Sequence, residues 1–277
     1  MESIRYFVRG DYSHLIKETN GIYSILEDDF ALKLNAFLGK YHSIKIPDTR
    51  NAIPPDNYAE LPYGKFASSF EWKLKQTSYE AIEKIIGRKQ NLTILDIGSF
   101  NGWLSNCLAS KGHTVVSTDY FLNKDYGLES YKYYKTSWLP LQMDLERTDM
   151  LESVFDVIII NHCLQFQAHP IEYCNRLKKM LKKNGALILA GLPIFRNPQN
   201  KIREVAAFKR RYLQEHQFNI FLKETKGYLD TSDLKELKDS GFRFNTYRKF
   251  YLNNLASIFR PRHPFYTYGI WNNDATP

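Results

Sequence analysis

The chain reads as an α/β fold built on an open, mostly parallel, doubly wound sheet, and three observations predict this. The stretch Leu92–Tyr120, LTILDIGSFNGWLSNCLASKGHTVVSTDY, runs through a β-branched apolar segment, a glycine turn, a helix and a second β-branched segment, which is one β-α-β unit. Further apolar segments at Pro140–Met143, Phe155–Ile160 and Ala186–Leu192 alternate with helical ones, the order that yields parallel strands with helices on both faces. Phe155-Asp-Val-Ile-Ile-Ile160 is almost wholly apolar, as a strand covered on both sides must be.

Within the first unit, Leu92–Ile97 stops at Gly98, and Gly102–Lys111 reads as a helix capped by Gly112. Thr114–Thr118 then ends in Asp119, about twenty residues past the glycines, where a carboxylate can accept both hydrogen bonds of a ribose diol. The loop between is Gly98-Ser99-Phe100-Asn101-Gly102. Glycine lacks a Cβ, so such a loop can pass close under a ligand and turn sharply into the helix. Its spacing is neither the G-x-G-x-x-G of a dinucleotide site nor that of a P-loop. Instead an acid, Asp96, sits inside the strand end, placed to organise the loop amides or to face a cationic ligand.

On Ile94, Leu95, Asp96, Gly98 and Gly102 the chain resembles the class I S-adenosylmethionine-dependent methyltransferases, and within them the broad type 11 group that acts largely on small molecules. Phe100 departs from the pattern, standing where that family usually has its middle glycine. The resemblance spans about 92–242 and implies a Rossmann-like sheet of seven mostly parallel strands with an antiparallel C-terminal edge hairpin. It further implies S-adenosylmethionine as cofactor, with Gly98, Ser99, Phe100, Asn101 and Gly102 supporting the methionine part, Asp119 holding the ribose and Tyr120 against the adenine. Asp144, followed by Leu145, would accept from the adenine amino group. Asn161 and His162 follow the fourth strand, at the sheet end where open α/β folds bind ligands. His162 is the candidate catalytic residue, a general base able to take a proton near neutral pH, or else a residue that merely borders the cofactor. His169, before Pro170, is a second candidate base or else helps to cap the helix that Pro170 opens.

Composition fits an enzyme-sized unit. At 277 residues and 43% hydrophobic content the chain can bury a sizeable core. Cys107, Cys163 and Cys174 show no C-x-x-C spacing, which predicts neither a disulfide framework nor a zinc site and suits a reducing cytoplasm. No apolar run approaches membrane-spanning length and no signal-like segment follows Met1. The net charge of +8 is compatible with nucleic acid, an anionic substrate, a membrane surface or a basic solvated face. Lys178, Lys179, Lys182 and Lys183 are expected on one solvated helix face, opposite Ile171, Cys174, Leu177 and Leu181. Lys209-Arg210-Arg211 and the Arg260/Arg262 pair are better placed to meet an anion, but no RNA-binding motif accompanies them, so nucleic acid is not the favoured partner.

Residues 1–68 are dense in aromatics and form an expected cap over the cofactor cleft, or an extension packed on the sheet edge. Asp28-Asp29 should open a short helix that Gly39 stops near Leu38, and prolines 47, 54, 55 and 62 fix an extended path after Lys45. Residues 69–277 would be the methyltransferase domain. It opens with a helix ending at Gly87 and carries a lid insertion at about 193–230 with a helix over Lys201–His216. Pro170–Lys183 is read as a helix, Asp230–Gly241 as another, and Phe242–Tyr251 and Tyr266–Trp271 as closing strands. The favoured acceptor is a small molecule or lipid-like compound. An RNA substrate, or a protein that binds the cofactor without catalysis, are the alternatives.

Overall fold

In the computed structural model, which describes residues 3–44, 53–65, 67–124, 126–260 and 262–273, a hairpin comes first. β1 (Ile16–Thr19) and β2 (Ile22–Ile25) turn through Asn20 and Gly21, whose φ values of 54° and 79° are the positive pair a two-residue hairpin loop needs. Lys45, Pro47 and Phe66, which belong to the expected cap, lie outside the described residues. α1 (Asp28–Ser43) and α2 (Phe70–Ile86) lead into the central unit of β3 (Thr93–Ile97), α3 (Trp103–Ser110) and β4 (Thr114–Asp119). Then follow β5 (Leu139–Met143), β6 (Phe155–Asn161), α4 (Pro170–Lys178), β7 (Leu181–Phe195) and α5 (Gln199–His216). β8 (Leu229–Asp230), α6 (Thr231–Asp239), β9 (Arg243–Thr246), α7 (Tyr251–Phe259) and β10 (Phe265–Asn272) complete the chain.

The strands make one sheet in the order β1-β2-β5-β4-β3-β6-β7-β10-β9, with β8 beside β7. From β2 to β7 neighbours are parallel, and β7-β10-β9 closes antiparallel. The expected seven strands are therefore present as β5-β4-β3-β6-β7-β10-β9. The N-terminal hairpin adds two more at the β5 edge, where β2 pairs in parallel with β5 from Tyr23 opposite Leu141 to Ile25 opposite Met143. An edge strand left unpaired would offer its backbone groups to other chains, and the hairpin takes up that of β5.

Apolar layers cover both faces. Leu95, Ile97, Ile158 and Ile160 face Phe7, Tyr173, Leu177 and Leu237 on one side. Ile94, Ile159 and Ile188 face Trp72, Ile82, Trp103 and Leu104 on the other. Strand alternation explains the split, since successive side chains point to opposite faces. A smaller cluster joins α1 to α5 and the segment after it, through Phe37, Tyr41, Tyr212, Phe218 and Ile220.

Three local expectations are corrected. α1 runs through Gly39 to Ser43, because Phe37 and Tyr41 stack 5.1 Å from Phe218 and 5.2 Å from Phe121. That burial outweighs the cost of about 1 kcal/mol for a helical glycine. α4 ends at Lys178, so Lys182 and Lys183 belong to β7. Leu177 and Leu181 are both buried and mimic helical spacing, while Lys182 reaches back 3.0 Å to Asp156 on β6. Beyond Thr246 the chain leaves the sheet to form α7, where Asn254 takes both the amide and the carbonyl of Tyr266 and fixes the helix against β10.

Candidate functional site

The carboxyl ends of β3, β4, β5 and β6 open on one edge, and the expected site residues all lie there. After β3 the backbone turns at Gly98, with φ 69°, and a Cβ there would stand 2.8 Å from the Cys163 sulfur. Gly102 opens α3 at φ 74°, where a Cβ would lie 2.7 Å from the Trp138 ring. Both positions exclude a side chain. Phe100, between them, also takes the left-handed conformation, at φ 54°. The loop thus keeps a glycine-like backbone at its non-glycine position, and the Phe100 ring turns outward to stack on Tyr126 at 6.1 Å.

Asp119 holds this loop. Its carboxylate accepts from the Phe100 amide at 2.9 Å on one oxygen, and from the Tyr120 and Phe121 amides at 2.7 and 3.1 Å on the other. Burial pushes its pKa up to about 6 against the lowering effect of those three amides. Asp96, by contrast, touches no loop amide. It accepts from Ser105 Oγ of α3 at 2.6 Å, and burial, opposed by that bond and aided by the Asp119 charge, raises its pKa to about 7. Of the two acids, Asp119 organises the loop, and Asp96 ties the strand to the helix behind it.

At the end of β5 a lysine that sequence spacing did not single out enters the site. Lys223, from the segment after α5, donates to Asp144 at 2.6 Å and to Glu146 at 3.1 Å, with its ammonium 4.9 Å from the Phe30 ring centre. Phe30 in turn lies 6.0 Å from Tyr120. Leu145 is buried, and its carbonyl accepts from the Tyr173 hydroxyl. A cleft of about 570 Å³ opens beside this group, with Lys33, Glu146, His169, Lys209 and Lys223 in its wall. His169 therefore stands at this cleft and not beside His162.

At the end of β6, His162 has φ 61° and its Nε2 lies 3.3 Å from Ser78 Oγ of α2. Ser78 Oγ is 3.1 Å from the Tyr247 hydroxyl, which accepts from the Gly191 amide at 2.8 Å. Burial, and next the Lys75 charge, depress the His162 pKa to about 3, so the imidazole is neutral. Gly191 is required beneath it, since a Cβ would come within 2.4 Å of the ring. Neither Ser78 nor Tyr247 carried a sequence signal, because they stand 169 positions apart in a helix and a strand exit.

Buried polar atoms are normally paired. Among the described residues, six side-chain polar atoms are buried without a partner; Trp72 Nε1 and Tyr134 Oη lie elsewhere, while Ser99 Oγ, Asn101 Oδ1, Asn161 Oδ1 and Gln165 Oε1 stand on the turn after β3 or at and just beyond the end of β6. Amides and a hydroxyl of this kind suit a ligand rich in ammonium and hydroxyl donors. S-adenosylmethionine, with its amino acid and ribose groups, fits that donor set.

Residues 95–189 match the family model described as "Methyltransferase domain". No curated protein matches the chain. Among solved structures, the fold is similar to phosphoethanolamine N-methyltransferase 2 of Haemonchus contortus in complex with S-adenosyl-L-methionine. That match has a TM-score of 0.54 and 14% identity, covering 85% of this chain and 60% of that one. It is also similar to an S-adenosylmethionine dependent methyltransferase from Mesorhizobium loti, with a TM-score of 0.50 and 15% identity, covering 71% of this chain and 97% of that one.

Proposed function

We propose that the chain is a class I S-adenosylmethionine-dependent methyltransferase and that it methylates a small-molecule or lipid-like acceptor held under its N-terminal segment and its 193–230 insertion. The observation that carries the site assignment is the set of buried, unpaired polar atoms on Ser99, Asn101 and Asn161. In this reading Gly98, Ser99, Phe100, Asn101 and Gly102 support the methionine part and Asp119 the ribose. Tyr120 and Leu145 border the adenine, Asp144 accepts from its amino group, and Asp96 supports the loop from behind through Ser105.

When bound, the cofactor supplies a sulfonium methyl that is already activated. The protein's part is then chiefly alignment of acceptor and methyl, together with exclusion of water. The aromatic cluster shared by α1 and α5 supports the assignment of residues 1–68 as a cap working with the insertion as a lid. His162 enters this reading as a positioning residue: a neutral imidazole with a pKa near 3 is a poor proton acceptor at pH 7, and its bond to Ser78 instead holds the end of β6.

The test is calorimetric titration with S-adenosylmethionine, S-adenosylhomocysteine and NADH, on the natural chain and on Asp119→Ala. The expected result is binding of both sulfur compounds at roughly micromolar Kd, lost in the variant, with no binding of NADH. Binding of NADH in their place would overturn the assignment.

A further inference from the structure

α7 is inverted with respect to an ordinary surface helix. Its polar residues Asn254 and Ser257 face the sheet, where Asn254 is held by the Tyr266 backbone and Ser257 is fully buried. Its apolar residues face out: Leu252 is 78% exposed, Phe259 81%, Tyr251 64% and Ile258 53%. Leu252, Leu255 and Phe259 follow one another at three and four residues, so they form a single stripe. Phe70, itself half exposed, packs its ring against Phe250, the residue before the helix, and against Tyr266. Contiguous exposed apolar surface of this kind marks an interaction face.

The charge around it selects the partner. From Ser240 to Asn273 the sequence holds five Lys and Arg residues and not one Asp or Glu. Arg248 precedes the helix, and Arg260 and Arg262 follow it; no acid among the described residues pairs with any of the three. Lys249 alone is neutralised, by Glu80 at 2.5 Å. A further cation, Arg196, stacks on the Phe265 ring of the neighbouring strand. An apolar stripe with aromatic members, flanked at both ends by unpaired arginines, has the chemistry of a helix lying in the headgroup layer of an anionic bilayer. No helix among the described residues is long and apolar enough to cross a membrane, so the contact is in the plane of the surface.

We infer that α7 docks the protein onto an anionic phospholipid surface, with Leu252, Leu255 and Phe259 inserted among the acyl chains and Arg248, Arg260 and Arg262 on the phosphates. This docking is independent of the methyl-transfer reading, because it rests on no residue of the cofactor site.

The experiment is flotation with extruded vesicles of phosphatidylcholine alone or with about one third phosphatidylglycerol, at about 50 mM and about 500 mM salt. The natural chain should float with the anionic vesicles at low salt and be released at high salt. Leu252→Ser with Phe259→Ser should lower the partition coefficient at least tenfold, and Arg260→Gln or Arg262→Gln about fivefold each. Leu213→Ser, an exposed site on α5, should change nothing. Affinity for S-adenosylhomocysteine should be the same in all four variants, which separates loss of docking from loss of fold. The inference is overturned if the natural chain ignores anionic vesicles. It is equally overturned if sedimentation shows a dimer that the Leu252/Phe259 variant dissolves without any vesicle binding, or if single-stranded RNA binds where vesicles do not.

Discussion

The Lys223 ammonium, on the segment after α5, lies 2.6 Å from the Asp144 carboxylate at the end of β5. An acid proposed to accept from the cofactor's adenine is thus already engaged by the insertion, and the two partners compete. The pair is partly exposed, with side chains 22% and 11% accessible, so its worth is discounted to about 1 kcal/mol. Lys223→Met is expected to tighten binding of S-adenosylhomocysteine about threefold and to speed its association, read by calorimetry and stopped-flow fluorescence. Weaker binding would instead make Lys223 part of the closed pocket.

Asp96 and Asp119 give the protein opposite pH responses in its free and liganded forms. Both have folded-state pKa values raised above the usual carboxylate range, to about 7 and about 6. The folded chain therefore binds more protons than the unfolded one between about pH 4 and pH 7, and their contribution to stability is lost as pH rises through those values. Denaturant titration should show stability falling by several kcal/mol from about pH 4 to pH 8 on account of these groups, and Asp96→Asn should flatten that slope. Cofactor affinity should run the other way. Asp119 must be ionised to accept the ribose hydroxyls, so binding weakens as pH falls below about 6, and Asp119→Asn should remove this dependence while lowering affinity about tenfold.

Phe100 carries a left-handed backbone that costs a non-glycine residue roughly 1–2 kcal/mol. Phe100→Gly should leave cofactor Kd within about threefold, because the amide that Asp119 accepts remains in place. Phe100→Val should raise Kd at least tenfold, since a β-branched side chain resists this conformation. Equal Kd values for the two variants would show that the loop does not need the left-handed turn.

The Tyr247 hydroxyl accepts from the buried Gly191 amide at 2.8 Å. Tyr247→Phe should cost about 1–3 kcal/mol in denaturant unfolding, by removing the buried hydroxyl that meets both the Gly191 amide and Ser78. Gly191→Ala should cost more, because its Cβ would strike the His162 ring at a φ of 65°. If His162 acts by position, Ser78→Ala should lower kcat with little change in cofactor Kd and without a shift in the pH profile of the rate. A shifted pH profile would restore His162 as a proton acceptor.

Much of this was legible in the sequence. Ile94–Gly102 and Thr114–Asp119 form strand, turn and strand as their spacing predicts, since these depend on local backbone preference. Ser69 caps α2 by accepting from the Trp72 amide, and Asp230 with Asp233 makes the capping box of α6. The errors fell where packing overrode a local signal, as at Gly39, or where strand and helix share a spacing, as at Leu177 and Leu181. Lys209 donates to the Thr225 carbonyl and Arg211 lies over the Phe208 and Tyr212 rings, contacts no linear pattern announces.

The sequence by itself determined the class of sheet and the loop with its acid, because glycine turns, β-branched runs and caps act over a few residues. Only the tertiary structure decided that Lys223 reaches Asp144, that Ser78 meets both His162 and Tyr247, and that α7 turns its apolar side outward. Those contacts join residues 79, 84 and 169 positions apart in the first three pairs, counting Lys223 with Asp144, Ser78 with His162 and Ser78 with Tyr247. Pairings at such separations follow from the order of strands in the sheet, which brings distant segments to one edge whatever their local preferences.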